Sequence, residues 1–107
     1  MDVEELFEAL VDEFAGVAGV TPPGSVRRGF GRTALRVDGR MFAILVRGRL
    51  VVKLPGTRVD ELVGAGDGVR FDANKGIPMR EWLAVDPGSS RLWSPLAHEA
   101  LAFVRTP

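Results

Sequence analysis

The chain has no cysteine, one histidine, no excess of either charge and no long apolar run. Without cysteine there is no disulfide framework, no thiolate metal site and no cysteine nucleophile, so the fold must stand on packing alone. His98 alone gives zinc too few ligands, and any Ser/His/Asp arrangement would have to use it. A helical wheel sets it almost opposite the apolar face of the last helix, near Arg105, where it reads as a solvated surface residue. Lys plus Arg number 14 and so do Asp plus Glu, which argues against bulk attraction to phosphate. No segment approaches the roughly 20 apolar residues of a spanning helix, and "MDVEELFEALVDEF" is acidic where a signal peptide is basic. The expectation is a cytoplasmic protein with no membrane partner.

What is present is the composition of one soluble globule: 107 residues, 46% apolar and 26% charged, read as a single domain over 1–107. Val3, Leu6, Phe7, Leu10, Val11 and Phe14 recur at helical spacing, with Glu4, Glu5, Glu8 and Asp12 on the other side. Acids in the first turn suit the helix dipole, and Gly16 with the following "GVTPPG" ends the helix. Glu4, Glu8 and Asp12 repel one another at i, i+4 spacing and do not converge as a cation site does, so they read as a solvated face.

From Ser25 to Leu54 the period becomes that of strands: "SVRRGF", "TALRV", "MFAILV" and "LVVKL", an antiparallel meander. Asp38-Gly39 predicts a two-residue hairpin turn, which would pair Leu35 with Phe42. A three-residue loop at Arg47-Gly48-Arg49 would set Ile44 against Val52 and Phe42 against Leu54, all facing the helices. The opposite face would then carry Arg36, Met41, Ala43, Leu45, Val51 and Lys53. "TRVDELVGAGDG" predicts a short helix from Thr57 by a Thr-x-x-Asp capping box, buried through Val59, Leu62 and Val63. "WSPLAHEALAFV" predicts a last helix with Ser94 as N-cap and Pro95 at its first position, buried through Leu96, Ala97, Ala100, Leu101 and Val104. The sum is an α+β fold, a two-layer sandwich of an antiparallel meander sheet with N-terminal, middle and C-terminal helices packed on it.

"FDANKGIPMREWLAV" has the residue types of a site. Lys75 in a glycine turn and Trp82 are candidates for a small anionic ligand, with Asp72 or Glu81 as acid or base. The mechanical reading is that Asn74, Gly76 and Pro78 form a turn and "MREWLAV" runs on as a strand, Trp82 and Ala84 facing one way and Leu83 and Val85 the other. "GFGR" lacks the remaining glycine, the lysine and the strand-to-helix context of a phosphate loop. No catalytic pair is assembled, so neither an enzyme nor a cofactor is expected. Arg27, Arg28, Arg32, Arg36, Arg40, Arg47, Arg49 and Lys53 crowd the meander, with Asp38 the only acid among them. They make a nucleic-acid surface a legitimate hypothesis, although such charges also protect sheet edges from pairing.

The stretches "ALRVDGRMFAILVRGRLVVKLP", "RVDELVGAGDGVRFDANKGIPMREWLAV" and "LAHEALAFV" are similar to TfoX N-terminal-domain-like proteins, a grouping related to the MmcQ/YjbR-like proteins. The resemblance covers nearly the whole chain and implies a two-layer α+β domain. Some relatives resemble competence regulators with a further C-terminal domain, for which 107 residues leave no room; others are called DNA-binding. Where the family usually has "MFG", this chain has "GFGR", with Gly29 in place of methionine. The leading expectation is a small interaction or regulatory module without catalysis, meeting a second copy or a protein partner through Met41, Leu45 and Val51. Nucleic-acid binding through the meander arginines comes next, then a small anion near Lys75 and Trp82.

Overall fold

The change of hydrophobic period along the chain sorts it into a layer of helices and a sheet. The structure, a computed structural model, describes residues 2–21, 34–72 and 79–105. Helix α1 (Val3–Phe14) is capped by Asp2, whose carboxylate accepts the Glu5 amide at 2.8 Å. It buries Phe7, Leu10 and Phe14, with Val3, Leu6 and Val11 packed at the margin, the six apolar positions its spacing predicts. Six strands follow among the described residues: β1 (Val20–Thr21), β2 (Ala34–Val37), β3 (Arg40–Val46), β4 (Arg49–Lys53), β5 (Gly68–Arg70) and β6 (Trp82–Val85). They form one antiparallel sheet in the order β1-β2-β3-β4-β6-β5. Helix α2 (Gly56–Gly64) joins β4 to β5, and α3 (Trp93–Arg105) follows β6. One core unites α1, α2 and α3 with Leu35, Val37, Phe42, Val52, Leu54, Leu83 and Val85. All three helices therefore lie on the same side of the sheet, which is the expected two-layer α+β sandwich.

Two registers differ from expectation. Arg36 pairs with Met41 and Leu35 with Ala43, so Phe42 is the extra residue of a β-bulge. A bulge shifts the side-chain phase: Phe42 and Ala43 are both fully buried in the core. Downstream, Leu45 turns to the helix side and packs against the core, while Ile44 turns away. The β3–β4 turn is also tighter than predicted. Val46 pairs with Arg49 across a two-residue turn in which Arg47 and Gly48 have φ of 49° and 76°, the positive pair a type I′ turn needs. Ile44 consequently opposes Val51, and Ala43 opposes Val52. Ala43 and Leu45 are thus not on the outer face. Phe42, Val52 and Leu54 bury against the helices, but Ile44 does not.

Helix starts differ as well. Pro55 precedes α2 and offers no side-chain cap, and Thr57 lies inside the helix. A 3-10 helix, Pro87–Leu92, runs directly into α3, so Ser94 is a helical residue and not its cap. Its hydroxyl is free to donate to Glu13 Oε2 of α1 at 2.5 Å. Strand β6 begins at Trp82, since Arg80 and Glu81 form a turn, and β1 and β5 are short edge strands without a sequence counterpart above. The predicted strand "SVRRGF" and the turn at Asn74, Gly76 and Pro78 lie outside the described residues.

Candidate functional site

Strand alternation fixes what the sheet presents on the face opposite the described helices. It carries Ala34 and Arg36 from β2; Met41, Ile44 and Val46 from β3; Arg49, Val51 and Lys53 from β4; Trp82 and Ala84 from β6; and Val69 from β5. Three of these residues are basic and none is acidic. Val51 and Ala84 are buried in its floor, whereas Met41 and Val69 are 37% and 50% exposed. Phe71 continues the alternation of β5. Its amide donates to the Trp82 carbonyl at 2.8 Å, and it lines a depression of about 220 Å³ with Val46, Arg49, Val51, Val69, Ala84 and the carboxylate-bearing Asp72. Phe71 and Trp82 are therefore neighbouring half-buried aromatics on one face.

Lys53 and Trp82 are directly paired across β4 and β6, and the ammonium Nζ lies 5.7 Å from the ring centroid, within reach of a cation–π attraction. On one side of this pair an open cleft of about 740 Å³ is lined by Thr57, Met79, Arg80 and Glu81 together with Gly56 of the uncapped α2 start. On the other side a cleft of about 400 Å³ reaches Arg40, Met41 and Phe103. Lys53, Glu81 and Trp82 line both, so they form the ridge between.

The basic residues divide by partner. Arg58 grips Glu99 and Glu61, Arg70 pairs with Asp60, and Arg91 lies 3.6 Å from Asp67. Arg105 donates to the Ala18 carbonyl. Arg49 lies along β6, donating to the carbonyls of Val85 and Ala84 at 3.2 and 3.4 Å. These five brace the fold. The side chains of Arg36, Arg40, Arg47, Lys53 and Arg80 make no hydrogen bond or ion pair among the described residues. Arg36 and Lys53 stand on the face, Arg40 and Arg47 at the two hairpin turns, and Arg80 in the larger cleft.

Of the residues singled out from sequence, Arg36, Arg49, Lys53, Trp82, Met41 and Val51 share this face. Arg40 and Arg47 mark its rims, and Leu45 belongs to the helix side. Arg27, Arg28, Arg32 and Lys75 lie outside the described residues. Phe71 was missed, although the alternation from Val69 would have found it. His98 is not simply solvated: its ring sits 4.5 Å from that of Phe14, and Nε2 is 2.6 Å from Glu13 Oε2. A carboxylate oxygen can only accept, so Nε2 carries the proton. Glu13 here lies between Ser94 and His98, whereas a nucleophilic triad needs the imidazole in the middle. Among the described residues, no group of His, Cys, Asp or Glu could hold a metal, and no helix is long and apolar enough to cross a membrane.

No family model, curated protein or solved structure matches this chain.

Proposed function

We propose that this protein is a cytoplasmic binding module, acting without catalysis, whose sheet face opposite the described helices takes single-stranded nucleic acid. One observation carries the reading: the sheet face opposite the described helices combines Trp82 and Phe71 with the untied Arg36 and Lys53, and its strands contribute no carboxylate, Asp72 and Glu81 standing just beyond the ends of β5 and β6. Bases stack on aromatic rings whatever their sequence, and guanidinium and ammonium groups follow the phosphates. A duplex fits less well, because among the described residues no basic helix is offered to a groove. The similarity to TfoX N-terminal-domain-like proteins, some of which are called DNA-binding, belongs to the same proposal. An apolar self-interaction patch has less to support it, since Leu45 packs inward and Val51 is buried, leaving Met41 exposed.

The test is fluorescence anisotropy of labelled oligo(dT) and oligo(U) titrated with the protein over a salt series. Three phosphate contacts give a log–log salt slope of about −2, at roughly −0.7 per contact for single strands. Trp82→Ala should weaken binding without changing that slope. No anisotropy change at low salt, or binding indifferent to salt, would defeat the reading.

A further inference from the structure

We propose that the acidic outer face of α1 in one copy of this chain docks on the basic sheet face of a second copy, head to tail. The contact would occupy the same surface offered to nucleic acid, so self-association and nucleic-acid binding would compete.

Among the described residues the carboxylates without a hydrogen-bond or ion-pair partner are unevenly placed: four lie on α1, against Asp38 at the β2–β3 turn and Glu81 on the ridge beside Lys53. The carboxylates of Glu4, Glu5, Glu8 and Asp12 on α1 are exposed, make no hydrogen bond or ion pair among the described residues, and share their helix with no basic residue. The unpaired bases, Arg36, Arg40, Arg47, Lys53 and Arg80, belong to the sheet face and its rims. Carboxylates at i, i+4 repel one another, so α1 carries a local cost that facing cations would remove. The spacings agree. Glu4 to Asp12 spans eight residues, about 12 Å along a helix, and Arg36 and Lys53 stand on β2 and β4 with β3 between them, about 10 Å apart.

One chain cannot make this contact with itself, because α1 packs its apolar side onto the opposite side of the sheet. The two surfaces are different, so the contact is heterologous: each added copy brings one acidic and one basic face, and the assembly grows beyond a dimer, into a ring where the rotation closes and into open chains where it does not. Exposed Met41 and Val69 add a little apolar area. With a screening length of about 8 Å at physiological salt, such association is weak and concentration-dependent.

Sedimentation velocity on the whole protein tests this. At low salt the weight-average mass should rise with concentration and return to that of one chain at high salt. The variants Glu4→Gln/Glu8→Gln/Asp12→Asn and Arg36→Gln/Arg47→Gln/Lys53→Gln should each stay monomeric. Mixed in equal amounts they should give a dimer that does not grow, because each supplies one intact face. Should either variant fold poorly, carbodiimide cross-linking of mixed light and heavy-isotope wild-type protein gives an independent readout: intermolecular bonds from Lys53 to Glu4, Glu8 or Asp12. A wild-type monomer at all concentrations in low salt, association that strengthens with salt, or cross-links elsewhere would overturn the proposal. Self-association without oligonucleotide binding would keep this contact and remove the nucleic-acid reading; oligonucleotide binding by a strict monomer would do the reverse.

Discussion

Nε2 of His98 lies 2.6 Å from Oε2 of Glu13, so α3 and α1 share a hydrogen bond across the helix layer. The Ser94 hydroxyl donates to the same oxygen, and this bond, with His98 behind it, holds the Glu13 carboxyl below its ordinary value of 4.5 against an opposing effect of burial. A carboxyl whose value falls on folding stabilises the fold above the ordinary range and loses that contribution as pH drops through the lowered value. Glu13→Gln should therefore lower the melting temperature near neutral pH. The gap from wild type should close as the pH falls below the ordinary carboxyl value of 4.5 and through the lowered one. Melts followed by circular dichroism across that range check it; a constant gap would mean that the carboxylate's charge is not what matters.

The bulge at Phe42 makes the core depend on Phe42 and not on Ile44. Phe42 is fully buried, with its ring edge-on to Phe14 at 5.4 Å and 65°. Phe42→Ala should cost about 3–5 kcal/mol, the usual range for emptying a buried aromatic site. Ile44→Ala, on the partly open face, should cost clearly less. Urea unfolding of the two variants decides between this register and the one the loop lengths imply, in which both residues face the helices.

That pair shows how far the sequence could be read. Helix periodicity identified every buried apolar position of α1, because a straight helix keeps its phase over its whole length. A strand has period 2, so a single extra residue moves every later side chain to the other face. Nothing in "MFAILV" announces that Phe42 and Ala43 point the same way, and the placement of Leu45 failed for that reason. The site was legible where it needed only alternation after a fixed point, as for Trp82 and Ala84. Which arginines are free and which are tied was not, because Glu99 lies 41 residues from Arg58 and pairings at that separation exist only after folding.

Two glycines should respond oppositely to alanine. At Gly68 an added Cβ would lie 2.6 Å from the Ala84 carbonyl oxygen and 2.9 Å from Leu83 Cδ1. Backbone must shift there, and Gly68→Ala should destabilise by about 1–3 kcal/mol, as overpacking does. At Gly64, in the last position of α2, an added Cβ meets nothing within 4 Å. Gly64→Ala should raise stability by about 0.4–1 kcal/mol through the unfolded chain's lost freedom. Paired denaturation curves test both, and a stable Gly68→Ala would mean that β5 is not held against β6 as described.

Lys53 and Arg58 should separate binding from stability. Arg58 donates through Nε and Nη2 to the two carboxylate oxygens of Glu99 at 2.9 and 3.1 Å, tying α2 to α3 on the helix side. Both side chains are more than a third exposed, so Arg58→Ala should cost no more than about 1 kcal/mol, within the range of surface ion pairs. It should leave oligonucleotide affinity unchanged, because it is remote from the open face. Lys53 is bound to no carboxylate and rests over Trp82. Lys53→Ala should leave the melting temperature within about a degree or two of wild type, as surface changes do. It should weaken oligonucleotide binding and reduce the salt slope by about 0.7, one phosphate contact's share. Measured side by side, equal losses of affinity from the two variants would show that binding follows overall positive charge; a loss confined to Lys53 locates it on the sheet.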